Sequence, residues 1–114
     1  MLNAVDTRFV GKWRGSDEGK VTQGEVNFWI MNRKYDGTFE MVFETHFEDG
    51  TFEQILEFGN WYVIYDVFHE YRESDQQTDS YQFEFISPHI IQFIEMNSDN
   101  KNPYIFKDFR LIEN

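Results

Sequence analysis

The stretch Tyr35-Asp36-Gly37-Thr38-Phe39-Glu40-Met41-Val42-Phe43-Glu44 is nearly repeated thirteen residues later as Glu48-Asp49-Gly50-Thr51-Phe52-Glu53-Gln54-Ile55-Leu56-Glu57. Asp-Gly between alternating runs signals a two-residue hairpin turn of type I′, whose central positions need positive φ. Behind the first corner, Phe39, Met41 and Phe43 alternate with Glu40, Val42 and Glu44, the period-2 pattern of a half-buried strand. Behind the second, Phe52, Gln54, Leu56 and Phe58 oppose Glu53, Ile55 and Glu57 less cleanly. Thirteen residues is one strand plus one turn. The repeat therefore marks two corners of one antiparallel sheet, and because it occurs only twice it is not a solenoid.

The same rhythm extends in both directions. Strands are expected over residues 8–14, 25–33, 60–68 (after a Gly59-Asn60 turn), 79–86 (before Ser87-Pro88), 89–96 and 104–112. With the two copies of the repeat this makes about eight. Residues 72–78 and 97–103 read as polar loops, and a short helix is allowed over residues 2–7. The fold class is all-β, an up-and-down antiparallel barrel or a sandwich, in a single domain spanning residues 1–114. Closure removes exposed strand edges, and eight strands enclose space for side chains or one small ligand.

Composition narrows the function. Thirteen Phe, six Tyr and three Trp make 19% of the chain aromatic, which favours strands. The net charge of −11, with basic residues scattered (Arg8, Lys12, Arg14, Lys20, Arg33, Lys34), argues against nucleic acid and against an anionic membrane surface. No cysteine is present, so thiolate chemistry and cysteine zinc sites are excluded. No signal peptide or membrane-length apolar run is visible, so the expected location is cytoplasmic, or periplasmic if a signal has been removed.

Catalytic and metal signatures are missing. His46, His69 and His89 lack metal-ligand spacing, and His69-Glu70 lacks the helix and second histidine of a zincin. No serine sits in a nucleophile elbow. Glu53 and Glu57 share a strand face and read as a solvated acidic face. No metal or cofactor is expected. An enzyme of lumen type would need a titratable group inside, for which Arg33, Asp66, His46 or Tyr65 are the candidates.

Gly11-Lys12-Trp13 near the N-terminus, opening a meander of about eight strands, resembles the calycin superfamily, the lipocalins and their small bacterial relatives. In that family the Trp closes one end of the barrel under an arginine from the last strand. The resemblance gives structural roles to Gly11, Trp13 and Arg110, and a guanidinium over an indole has its own physical warrant at ~0.5–2 kcal/mol. The family pattern also turns Trp29, Met31 and Arg33 inward, although Val26, Phe28 and Ile30 on the other face are equally apolar.

The inward aromatics either pack a core or line a pocket. As a pocket, its candidate residues are Trp29, Arg33, Met41, Phe43, Tyr65, Tyr81 and Phe83. An inward Arg33 needs a partner. That partner is an acidic ligand head, Glu40 or Asp66, unless the side chain snorkels out beside Lys34. The expected function is binding of a small apolar or amphipathic molecule rather than catalysis. The alternative is an acidic protein-interaction module of inhibitor or immunity type with a filled barrel. Ile64 and Phe68 opposing Val63 and Tyr65, and Ile90 and Ile94 opposing Ile91 and Phe93, make walls that are apolar on both faces. Such walls suit a homodimer or another protein partner.

Overall fold

The computed structural model describes residues 5–18, 23–96 and 103–112. Among them a 3₁₀ turn (Thr7–Phe9) precedes β1 (Gly11–Glu18), β2 (Val26–Arg33), β3 (Thr38–His46), β4 (Phe52–Ile64), β5 (Val67–Arg72), β6 (Gln77–Ser87), β7 (Ile90–Glu95) and β8 (Ile105–Arg110). Each strand pairs antiparallel with the next, and β8 returns to β1, giving a closed up-and-down barrel. The closing β1–β8 pair is the shortest, with only Trp13 opposite Arg110 and Arg14 opposite Phe109. No helix among the described residues is long and apolar enough to cross a membrane.

The two repeated phrases form matching corners. Asp36 Oδ1 accepts from the Thr38 amide and hydroxyl at 2.9 and 2.6 Å, and Asp49 Oδ1 accepts from Thr51 at the same two distances. Neither aspartate has positive φ; only Gly37 (+86°) and Gly50 (+88°) do. The expected type I′ turn is thus replaced by a three-residue loop ending in a left-handed glycine. The Gly37 amide bonds the Lys34 carbonyl, and the Gly50 amide bonds that of Phe47. The two-residue turn with paired positive φ lies instead at Tyr65-Asp66 (52° and 61°), with no glycine to announce it.

That displaced turn corrects the partition of the middle of the chain. β4 runs unbroken through Gly59-Asn60 for 13 residues, so no turn exists there. Gly59 is needed for close approach: a Cβ would collide with the Tyr71 carbonyl oxygen and lie 2.7 Å from the Phe39 ring. The segment expected as one strand over residues 60–68 is therefore the end of β4, a turn, and the start of β5. Residues 72–78 supply the end of β5 and the start of β6 as well as their loop. Strand one begins at Gly11, because residues 7–9 coil as a 3₁₀ turn capped by Asp6. Of the helix expected over residues 2–7, positions 2–4 lie outside the described residues, as do positions 97–102 of the polar loop.

The lumen is filled at the end where β1 starts. Phe9, Trp13, Phe39, Trp61, Phe68, Ile91 and Phe93 are all buried there. Phe9 lies across this end, its ring 5.0–6.3 Å from those of Trp61, Phe68, Phe83, Phe85 and Phe93. The Trp13 indole donates to the Phe9 carbonyl at 2.8 Å. The Arg110 guanidinium lies 4.2 Å from the Trp13 ring centre and donates to the Val10 and Arg8 carbonyls at 2.8 and 2.7 Å. One side chain thus stacks on the indole and holds the 3₁₀ turn across the floor. Gly11 (φ +125°) makes room: a Cβ there would stand 2.8 Å from Arg110 Nη1.

Candidate functional site

Above that floor the packing stops. A cavity of about 290 Å³ occupies the other half of the lumen, close to the lower end of ordinary ligand sites. Its apolar wall comes from Trp29 and Met31 on β2, Met41 and Phe43 on β3, Ile55 on β4 and Phe106 on β8. Alternation places these side chains inside. The register stacks Trp29, Phe43 and Ile55 across three strands, with Met31 and Met41 as the next row down. Trp29 and Phe43 lie parallel with centres 6.0 Å apart, and Phe106 meets Trp29 edge-on at 5.5 Å.

The base of the cavity is charged. Arg33, 2% exposed, donates from Nη2 to Asp108 Oδ2 at 2.8 Å, and the Trp29 indole donates to Asp108 Oδ1 at 2.8 Å. The partner of Arg33 is therefore Asp108, not Glu40, Asp66 or bulk water. Glu40 lies outside with Lys34 at 2.7 Å, and Asp66 is in the β4–β5 turn. The Arg33 Nε and Nη1 atoms are buried without a hydrogen bond. The guanidinium carbon stands 5.0 and 5.3 Å from the Phe68 and Phe93 ring centres, so its remaining face rests on the filled aromatic half.

Two glutamates line the same cavity. Glu57, 7% exposed, accepts the Ser74 hydroxyl at 2.6 Å, so it is no part of a solvated acidic face. β4 presents Phe52, Leu56 and Phe58 to the outside and Glu57 to the lumen, the reverse of the usual amphipathic strand. Glu70, 8% exposed, stands between Trp61 and Asp79 in register. Burial pushes its carboxyl up to about 7, with Arg33 pulling the other way and Asp108 and Asp79 adding to the rise. Arg72 closes the β5–β6 side, paired with Asp75 at 3.0 Å and with Asp79. Tyr81 and Tyr104 complete the lining; burial raises the pKa of both phenols, and Tyr104 donates to Asp17 at 2.6 Å.

Of the pocket candidates, the lumen brings together Trp29, Arg33, Met41, Phe43 and Tyr81. Tyr65 does not join them: it is 93% exposed in the turn that ends β4. Phe83 faces the lumen but belongs to the filled half, edge-on to Phe9 at 5.0 Å. Of the titratable groups suggested for lumen chemistry, Arg33 is inside and the other three are displaced. His46 pairs outside with Glu44 at 2.5 Å, and Tyr65 and Asp66 share the turn. Among the lining residues that sequence reasoning missed, Glu70 and Asp108 carry charge next to Arg33. Their signal was present in the alternations Phe68-Glu70-Arg72 and Phe106-Asp108-Arg110, had the strand been carried past Phe68 and the charged members been allowed inside. Phe68 is likewise a core residue, opposite Val63, and not part of an outer apolar face. No cluster of His, Asp and Glu among the described residues is arranged to hold a metal ion.

No protein-family model matches the chain, and no curated protein matches it. Among solved structures it is similar to a de novo designed β-barrel described as fluorescence-activating. The TM-score is 0.55 at 19% identity, over 95% of this chain and 100% of that one. At that identity the likeness is one of fold, an eight-stranded antiparallel barrel.

Proposed function

We propose that the chain is a lipocalin-like binding protein that takes a small apolar or amphipathic molecule into the open half of its lumen. The observation that carries this reading is the change along the barrel axis. Seven large buried side chains fill one end, and the wall of Trp29, Met31, Met41, Phe43, Ile55 and Phe106 stands around empty volume at the other. Apolar walls with a few convergent polar groups are what small-molecule sites require. The Trp13–Arg110 stack at the floor is the arrangement that the calycin resemblance implies. The designed neighbour, an eight-stranded barrel described as fluorescence-activating, is compatible with the reading through its fold.

Trp29 makes the test optical. Titration with a panel of fatty acids, retinoids, haem and small aromatic amphiphiles should quench its emission saturably. Trp29→Phe should lose that signal while calorimetry still detects binding. Absence of saturable binding across the panel by both methods would remove this reading.

A second reading concerns the outer wall. Phe28, Ile30, Val42, Leu56 and Phe58 are 37–59% exposed and adjoin one another across β2, β3 and β4. Arg14 borders them on β1, and Glu40 and Glu44 alternate with Val42 on β3. A two-fold axis along β2 would set Arg14 of one copy opposite the glutamate row of the other. We therefore propose a homodimer through this face. Sedimentation of wild type against Ile30→Glu tests it: a monomer at micromolar concentration in both would dismiss the dimer.

A further inference from the structure

The polar groups of the cavity are unevenly satisfied, and this imbalance bears on the chemistry of the ligand. The inference rests on the small-molecule reading above. Two cations line the cavity, Arg33 and Arg72, against four carboxylates, Glu57, Glu70, Asp79 and Asp108. Both cations already have a carboxylate counter-ion, Arg33 in Asp108 through Nη2 alone, with Nε and Nη1 left without a hydrogen bond, and Arg72 in Asp75 and Asp79. Arg33 is also turned into the filled half, against Phe68 and Phe93. The role first suggested for an acidic ligand head is therefore taken by the protein's own Asp108.

Glu70 is left over. It is more than nine-tenths buried, lines the cavity, and has neither a hydrogen bond nor an ion pair among the described residues. The groups around it are Arg33 from β2, Glu57 from β4, Arg72 on its own strand, Asp79 and Tyr81 from β6, and Asp108 from β8. The nearby rings of Trp29, Phe43, Tyr81 and Phe106 carry the negative faces that attract cations. A chain of net charge −11 also draws cations towards itself and repels anions.

We propose that the cavity takes an amphipathic organic cation, its ammonium head against Glu70 and its apolar body between Trp29, Phe43 and Phe106. The carboxyl of Glu70, raised to about 7 by burial, is the form of this site without a counter-ion. A bound ammonium favours the carboxylate. Binding below neutral pH therefore releases a proton, and affinity rises as pH climbs through the Glu70 titration.

A matched series of 2-phenylethylamine, 2-phenylethanol and 3-phenylpropionate, read by Trp29 emission and calorimetry at pH 8, separates the possibilities. The amine should bind about tenfold tighter than the alcohol and the carboxylate most weakly, on the scale of one ion contact plus cation–π attraction. Glu70→Gln, with its fold checked by circular dichroism, should bring the amine to the level of the alcohol. Wild type at pH 5.5 should do the same, which keeps the test decisive if the variant does not fold. Binding of the alcohol or carboxylate as tight as that of the amine would overturn the cation assignment and leave the small-molecule reading standing. Binding of none of the three would overturn the assignment. Only a silent response across the wider panel as well would take the small-molecule reading with it.

Discussion

Phe9 and Phe43 enter the same lumen and live in different environments. Phe9 is fully buried and meets five other rings. Phe43 is half-buried, stacks on Trp29 and otherwise borders empty space. The aromatic rings of this chain therefore sit in two settings: at one end they pack against each other, and at the other they line empty volume. The charged residues divide the same way. Arg110 at the floor is bonded to backbone carbonyls, whereas Glu70 in the cavity is bonded to nothing in the described chain.

The difference can be broken most directly by truncating one side chain in each half. Trp13→Ala should cost about 4 kcal/mol of stability in denaturant titration, because it leaves a void and strands Arg110. Phe43→Ala should cost about 1 kcal/mol, since its site is already partly open. Equal losses would mean that the two halves are packed alike. The boundary between them is the Arg33–Asp108 pair. Asp108→Ala should lose about 3 kcal/mol by leaving a buried guanidinium uncompensated, and Asp108→Ala combined with Arg33→Met should recover much of it.

Glu70 sharpens the comparison through pH. Its folded-state pKa lies above its unfolded value of 4.5, so the buried carboxylate opposes folding. That cost is absent below about pH 4.5, develops between there and about 7, and is complete above. Glu70→Gln should thus be neutral near pH 4.5 and stabilising at pH 8, by up to about 3 kcal/mol in thermal melts. Identical pH profiles for wild type and variant would show that the carboxyl titrates normally. An effect as small as that of Phe43→Ala is expected outside the lumen. Gly50→Ala meets no neighbour within 4 Å and should cost only the strain of positive φ, about 1 kcal/mol, whereas Gly59→Ala should cost about 2–3 kcal/mol by overpacking.

Much of the frame was legible in residues. Asp36-Gly37 and Asp49-Gly50 announced corners, and Trp13 with Arg110 announced the closed end. The period of Phe39, Met41 and Phe43 gave the inward face of β3. Legibility failed where a local rule met a stronger constraint. Gly59-Asn60 looks like a turn, but Gly59 is there because the Tyr71 carbonyl and the Phe39 ring leave no room for a side chain. Tyr65-Asp66 turns without glycine, so the strand was read through it. The number of strands came out right because one strand was split and two were run together. In β4, ranking faces by apolarity put Glu57 outside, and ending the strand at Phe68 left Glu70 without a face. A cavity reverses that ranking, since its wall can hold charge while the outer wall holds Phe58 and Leu56.

The short β1–β8 ladder gives the barrel a seam. Every other pairing joins neighbours in sequence and can form as a local hairpin, which favours rapid assembly. The ring itself can be completed only when the last strand arrives beside the first, held by two residue pairs and the Arg110 stack. Amide exchange should therefore be fastest along this join, and Asp108 rides on one of its edges. A brief parting of β8 from β1 would carry away the counter-ion of Arg33 and unlatch the lumen from the side, giving a guest a way in that does not pass through the mouth.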